Sequence, residues 1–228
     1  SSKNKQYSYS PKNISTDQKI DYLHFTSNNT IYGTQFHSFK EVVKITKKHE
    51  AKLICDMSSD IFSKEINVND FDLIYAGAQK NLGPAGATLV IIKKTAIHTN
   101  KELPTYLNYY THIEKQSMFN TPPVFSIYVA MLTLRWLKES GGIKNIENKN
   151  KAKAKLIYDE IDRNPLFFGI VNEEDRSNMN VTFKLKNDNH KTIFENMCQE
   201  GRINGINGHR SVGGYRASIY NALDMKSV

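Results

Sequence analysis

Lys80 stands in the segment Tyr75-Ala-Gly-Ala-Gln-Lys-Asn-Leu-Gly-Pro-Ala-Gly86, and Asp56 closes an apolar run upstream of it. An amine on a tight turn after one buried strand, with a carboxylate ending a neighbouring strand, suits pyridoxal phosphate. The amine condenses with the aldehyde, and the carboxylate keeps the pyridine nitrogen protonated, so that the ring draws electrons from a substrate carbon. Ala76, Gly77, Ala78, Gly83, Ala85 and Gly86 are small and let a ligand approach the backbone. A lysine beside apolar strands loses part of its ammonium stability and becomes nucleophilic near neutral pH. The plainer reading is a solvated lysine after a strand, and the small flanks weigh against it.

Taken alone, Asp56 reads equally as a loop aspartate bonding its own backbone before Ser58-Ser59. Beside Lys80 a buried carboxylate needs a cationic partner, which a pyridinium supplies. Asn120-Thr-Pro-Pro123 reads as a helix start, with a capping side chain followed by proline. The same helix N-terminus also offers free N–H groups to a phosphate. Gly208-His-Arg-Ser-Val-Gly-Gly-Tyr-Arg216 is a basic, glycine-punctuated loop. It is either a surface turn or a grip for two anionic groups on one small substrate, with arginine favoured for a carboxylate because its fork takes both oxygens.

The elements that would position these groups follow from hydrophobic pattern. Strands are expected at Tyr22–Thr26, Lys52–Asp56, Phe71–Tyr75 and Thr88–Lys93, with a helix over Phe39–His49. Short apolar runs separated by loops and helices predict an α/β fold with a mainly parallel sheet. In such sheets ligands gather outside the carboxyl ends of the strands, where Thr30, Asp56 and Lys80 fall. A helix from Asn120 through Leu134, Trp136 and Leu137 should stop at Gly141-Gly142. A second, Ile143–Arg163, should turn its lysine run outward and Ile146, Leu156, Ile157 and Ile161 inward. Strands at Phe167–Val171, at Asn180–Leu185 and near Ile203–Ile206, with a helix at Thr192–Glu200, then describe a smaller α/β domain. The division expected is 1–140 and 141–228. Residues 1–20 read as loop.

The 228 residues suffice for one large domain or two modest ones, and 39% hydrophobic with 24% charged residues argues against wholesale disorder. No apolar run approaches a membrane span, and the first thirty residues are not signal-like. Cys55 and Cys198, without a CxxC, fit a reduced cytoplasmic protein and offer little to a metal. The net charge of +8 admits a nucleic-acid binder. However, Lys47-Lys48, Lys93-Lys94 and the run from Lys144 to Lys155 are scattered rather than focused with aromatics, so solvated faces are the better reading.

Asn29-Thr30-Ile31, Cys55-Asp-Met-Ser-Ser-Asp60, the Lys80 segment, Phe119-Asn-Thr-Pro-Pro123, Arg176-Ser-Asn-Met-Asn180 and Gly208–Asn221 together resemble the phosphoserine aminotransferase family. That family lies within the class V, fold-type I pyridoxal-phosphate enzymes, whose large domain this chain would hold in part. Cysteine desulfurases share the fold, but no catalytic-cysteine loop is found here. The resemblance implies Lys80 as Schiff-base lysine and proton shuttle, and Asp56 as partner of the pyridine nitrogen. It implies Thr30 and Gln79 as ligands of the ring substituent and phosphate. Asn120 and Thr121 would reach the cofactor phosphate of the partner subunit in a homodimer. His209 and Arg210 would hold the substrate phosphate, and Arg216 the α-carboxylate. The implied reaction moves an amino group from glutamate to 3-phosphohydroxypyruvate, on the way to serine, with a vitamin B6 precursor as a further substrate in many bacteria. Family members carry a long stretch upstream of Ser1, with a phosphate-cradling glycine turn, a stacking aromatic and another arginine, and a final helix beyond Val228. Residues 1–228 alone are therefore expected to be weakly active or inactive. The alternative from another class is a catalytically inactive, cofactor-binding or dimerising scaffold.

Overall fold

The computed structural model describes residues 2–5, 7–97 and 102–228. The loop reading of residues 1–20 holds apart from a single 3-10 turn at Ser2–Lys5, with Ser1 and Gln6 outside the described residues. Beyond it, β1 (Tyr22–Thr26), α1 (Lys40–His49), β2 (Lys52–Asp56), β3 (Leu73–Gly77) and β4 (Thr88–Ile92) build a four-stranded sheet in the order β1-β2-β3-β4. The first two pairings are parallel and the last is antiparallel. The antiparallel return has a local cause. Linker 78–87 closes on itself, Ala78 N–H donating to the Ala87 carbonyl at 3.0 Å, and is too short for the crossover of about a dozen residues that a parallel return needs. The sheet is mixed and mostly parallel, as expected of an α/β fold.

The third strand begins at Leu73 rather than at the predicted Phe71. Phe71 instead ends a 3-10 turn, Val68–Asp70, and the Asp72 carboxylate takes the Leu53 N–H at 2.8 Å, tying the strand entrance to β2. One face of the sheet is packed. Leu53, Cys55, Ile74 and Ala76 are buried against Val42 of α1, with Phe25, Phe39 and Phe71 in edge and offset ring contacts. Helix α1 turns Val42, Ile45 and Thr46 to this core at helical spacing. Successive strand residues alternate faces, so His24, Thr26, Ile54, Asp56 and Tyr75 share the other, half-exposed face.

A short helix, α2 (Tyr109–Glu114), was not anticipated, although Asn108 caps it by accepting from the Tyr110 N–H at 3.0 Å. The long helix α3 covers Val124–Glu139, later than Asn120. A residue before proline is held out of the helical region, so Thr121 and Pro122 do not join the helix, which starts only after Pro123. Helix α4 (Gly142–Arg163) packs on the second sheet, β5 (Phe167–Gly169), β6 (Asn180–Leu185) and β7 (Tyr215–Ser218), all antiparallel. Helix α5 (Lys191–Glu200) completes this layer through Phe194, which packs against Phe183 and Tyr215.

Three expectations fail here. Leu156 of α4 is exposed, whereas Lys153, from the run expected to face solvent, is 1% exposed. No strand forms at Ile203–Ile206. Arg202 and Gly205 adopt positive φ (56° and 71°), which breaks an extended run, leaving only a bridge between Asn207 and Tyr215. The third strand lies instead at Tyr215–Ser218, at the end of the segment read as a basic loop.

Candidate functional site

The carboxyl ends of β1, β2 and β3 release three loops, and these bring Thr30, Asp56 and Lys80 together. The loop after β1 is shaped by Asn29, whose Oδ1 accepts from the N–H groups of Ile31 and Tyr32 at 3.0 and 3.2 Å. It closes at Gly33, with φ of +78°, where a Cβ would come within 2.5 Å of Thr182 Oγ1 and 2.9 Å of the Asn180 carbonyl. The loop is thereby pressed against β6. Thr182 Oγ1 also donates to the Tyr32 carbonyl at 2.9 Å.

Lys80 follows β3 on the turn Ala78–Gly83, in which Leu82 and Gly83 N–H both donate to the Ala78 carbonyl. Helix α3 seals the back of this turn. A Cβ on Gly83 would sit 3.3 Å from the Ala130 backbone, and Ser126 Oγ donates to the Ala85 carbonyl at 2.7 Å. The amine of Lys80 is half-buried and donates to Thr30 Oγ1 at 2.7 Å. Burial holds its pKa below the ordinary lysine range; the Asp56 charge opposes that shift and the Arg216 charge adds to it. The neutral, reacting form of the amine is thus favoured relative to a free lysine.

Asp56 is the last residue of β2, level with Thr26 and Tyr75 of its neighbours. Its Oδ1 accepts from Ser58 N–H at 2.8 Å and Ser58 Oγ at 2.6 Å, the local bonding expected of a loop aspartate. The loop-aspartate bonding is thus present, and the same carboxylate lies near enough to Lys80 for its charge to act on the amine. Arg216, on β7 opposite Thr182, sends Nη1 to the Thr30 carbonyl at 3.4 Å, while its buried Nε has no partner among the described residues. An unpartnered guanidinium N–H beside a lysine and a carboxylate is what an anionic ligand group would complete. These groups fit pyridoxal phosphate: a half-buried amine, a carboxylate whose charge reaches it, and a buried guanidinium N–H left open.

The remaining sequence-derived residues lie elsewhere. Gln79 is exposed and folds back over Gly77, its Oε1 lying 2.6 Å from where a Cβ there would stand. Asn120 and Thr121 are exposed ahead of α3, Asn120 Nδ2 donating only to the Thr121 carbonyl at 3.2 Å. His209 and Arg210 occupy a tight turn in which Gly208 N–H donates to the Gly214 carbonyl and His209 Nδ1 meets Ser211 Oγ at 2.7 Å. They line a cavity of about 410 Å³ with Lys184, Lys191, Asp188 and Glu195. No hydrogen bond among the described residues joins them to Lys80 or Thr30.

Sequence reasoning passed over a buried group beneath the site. Asp60 accepts from Ser27 Oγ and from Gln35 Nε2 and pairs with Lys64 at 4.0 Å. Burial pushes the Asp60 carboxyl up and the Lys64 amine down. Ser27 in turn holds the Asp56 carbonyl through its own N–H at 3.0 Å. The Asp60–Lys64 spacing of one helical turn was the available signal. Tyr75, whose OH lies 3.0 Å from His24 Nε2, was also missed. Burial and then the Asp56 charge push its phenol pKa up. Counting alternate residues along β1 and β3 would have placed both on the Asp56 face.

Comparison with known proteins gives the family and the fold. A protein from Flavobacterium psychrophilum called phosphoserine aminotransferase is 56% identical over all of this chain, which covers 62% of that protein. A solved phosphoserine aminotransferase structure, concerned with radiation damage of its Schiff base, superimposes with a TM-score of 0.92 at 47% identity, covering 99% of this chain and 62% of that one. Phosphoserine aminotransferase from Trichomonas vaginalis, solved with pyridoxal phosphate bound, gives 0.84 at 36% identity, over 94% and 59%. The chain thus spans a little over three-fifths of the length of the first of these relatives. The description "Aminotransferase class-V" matches residues 2–228, and the chain belongs to that family.

Proposed function

We propose that the Lys80 site serves pyridoxal-phosphate-dependent transamination between glutamate and 3-phosphohydroxypyruvate, giving O-phospho-L-serine and 2-oxoglutarate. The observation that carries this is the half-buried Lys80 amine, its pKa lowered by burial, set at strand ends with Asp56. The names of the relatives support amino-group transfer involving phosphoserine, and glutamate with 3-phosphohydroxypyruvate is what the family resemblance implies for the substrates. When bound, the cofactor supplies an aldehyde for the lysine and a ring that withdraws electrons from the substrate α-carbon.

The chain's own residues divide the work. Lys80 holds and moves a proton at Nζ. Asp56 holds a proton at the ring nitrogen, with Ser58 fixing its second role as an anchored carboxylate. Thr30 orients the lysine amine, and Gln79 is assigned to the cofactor phosphate. Arg216 grips the α-carboxylate, its Nε having no partner among the described residues. His209 and Arg210, with Lys184 and Lys191 beside them, offer positive charge to the substrate phosphate.

Helix α3 supports a homodimer. Val124, Phe125, Ile127, Tyr128 and Leu132 are exposed along it, and a helix apolar on nearly every side requires a second surface to cover it. Asn120 and Thr121, exposed at its start, are then free to complete the cofactor site of a partner. A role in serine synthesis follows from these substrates, one in vitamin B6 synthesis requires the related phosphorylated precursor as a further substrate, and the two buried free cysteines suit a reducing cytoplasm. Adding pyridoxal phosphate and recording the visible spectrum tests the reading. A new band in the unsubstituted chain, absent in Lys80→Ala, supports it; equal spectra from the two would remove it.

A further inference from the structure

Helix α4 carries a lysine with no solvent around it. Lys153 is 1% exposed, and its Nζ donates to the carbonyls of Ile219, Tyr220 and Leu223 at 3.1, 2.7 and 3.1 Å. An ammonium has three N–H bonds, so its donors are fully used on the turn that follows β7. Burial pushes its pKa down to about 8, with the charge of Lys149 acting in the same direction. Asn150 lies on the same side of the helix at i,i+3 spacing. It is equally buried, and its Nδ2 donates to Asn221 Oδ1 at 2.8 Å and to the Ser63 carbonyl at 3.3 Å. The two residues straddle the 219–223 turn.

Asn221 stands within that turn and reaches across to the first sheet. Its N–H donates to Asn81 Oδ1 at 2.9 Å, and its Nδ2 donates to the Phe62 carbonyl at 3.1 Å. Asn81 is buried, donates to the Ile61 carbonyl at 3.2 Å, and is the neighbour of Lys80. A continuous set of buried hydrogen bonds therefore runs from α4, through the 219–223 turn, to the loop that bears the amine.

We propose that Asn150 and Lys153 are positioning residues for Lys80: by gripping the 219–223 turn from α4, they let Asn221 pin Asn81 and so fix the Lys80 turn. Only the last step rests on the reading of Lys80 as the reacting amine; the mechanical linkage stands without it. The deciding experiment is hydrogen–deuterium exchange on the whole chain carrying Lys153→Met or Asn81→Ala. In Lys153→Met, the Leu82 and Gly83 amides should exchange about tenfold faster, while β1 and β2 keep their protection. Asn81→Ala should loosen Leu82 and Gly83 and leave α4 unchanged. With pyridoxal phosphate added, Lys153→Met should also shift the pH midpoint of the visible band, which a loss of packing confined to α4 would not do. Unchanged exchange at Leu82 and Gly83 in folded Lys153→Met overturns the proposal, as does acceleration spread evenly over both sheets. Should Lys153→Met not fold, Asn150→Ala carries the same expectation without disturbing a buried cation. Absence of any visible band in the unsubstituted chain counts against the cofactor reading, and the exchange result then decides the linkage by itself.

Discussion

The Nζ of Lys80 lies 2.7 Å from the Oγ1 of Thr30, a residue delivered by a different strand fifty positions earlier. That bond fixes where the amine points, and the charges around it decide how readily it gives up its proton. Burial lowers the pKa of Lys80, Asp56 raises it and Arg216 lowers it. Asp56→Asn should therefore drop the Lys80 pKa further, and Arg216→Gln should raise it. Carbon-13 NMR of reductively methylated lysines, titrated with pH, reads both shifts, and movement in the opposite sense would refute the assignment. The linkage has a definite sign. Between the lowered folded value and the ordinary 10.5, the unfolded chain binds more protons, so this group's contribution to stability rises with pH through that window.

Asp60 is fully buried with Ser27, Gln35 and Lys64 as partners. Removing its carboxylate leaves the buried Lys64 ammonium without its acidic partner and frees the hydroxyl of the serine that holds the Asp56 carbonyl. Asp60→Ala should cost about 3–5 kcal/mol, measured by urea unfolding. A loss within experimental error would show that Lys64 is satisfied by the Phe36 carbonyl, to which it also donates.

Gly33→Ala meets two obstacles at one position. The backbone φ is +78°, and the new Cβ would collide with Thr182 Oγ1 and the Asn180 carbonyl. Left-handed strain alone costs about 1–2 kcal/mol, and the contact adds to it. The loss in thermal stability should be accompanied by displacement of Thr30, visible as weaker cofactor uptake. Unaltered melting and uptake would mean that the loop is free to move away from β6.

Arg216 presents a planar fork whose Nε has no partner among the described residues. Lysine places a point charge there instead and cannot grip both oxygens of a carboxylate. Titrating glutamate into the cofactor-loaded chain and following the visible spectrum, Arg216→Lys should need at least about tenfold more glutamate for half the change. Equal titrations would assign the α-carboxylate to another residue.

On α3, Phe125 is 72% exposed among other apolar side chains. Phe125→Asp should move the sedimentation equilibrium from dimer to monomer while the far-ultraviolet circular dichroism stays the same. A wild-type chain that sediments as a monomer at micromolar concentration would remove the dimer reading outright.

The sequence by itself determined the strands Tyr22–Thr26 and Lys52–Asp56 to the residue, the mostly parallel α/β sheet, and the ends at which Thr30, Asp56 and Lys80 collect. Those features are local: period-two burial, short apolar runs and glycine-rich turns are written in adjacent residues. What depends on long-range packing was not legible. Lys153 belongs to a run that reads as solvated, and only the arrival of 219–223 makes it a buried clamp. The 208–216 segment read as a basic loop throughout, yet its last two residues, Tyr215 and Arg216, begin strand β7. From that strand Arg216 reaches the Thr30 carbonyl, whereas His209 and Arg210 belong to the turn before it. Asp60 gave a spacing but no sign of its partners, because Ser27 and Gln35 reach it only once β1 lies beside β2.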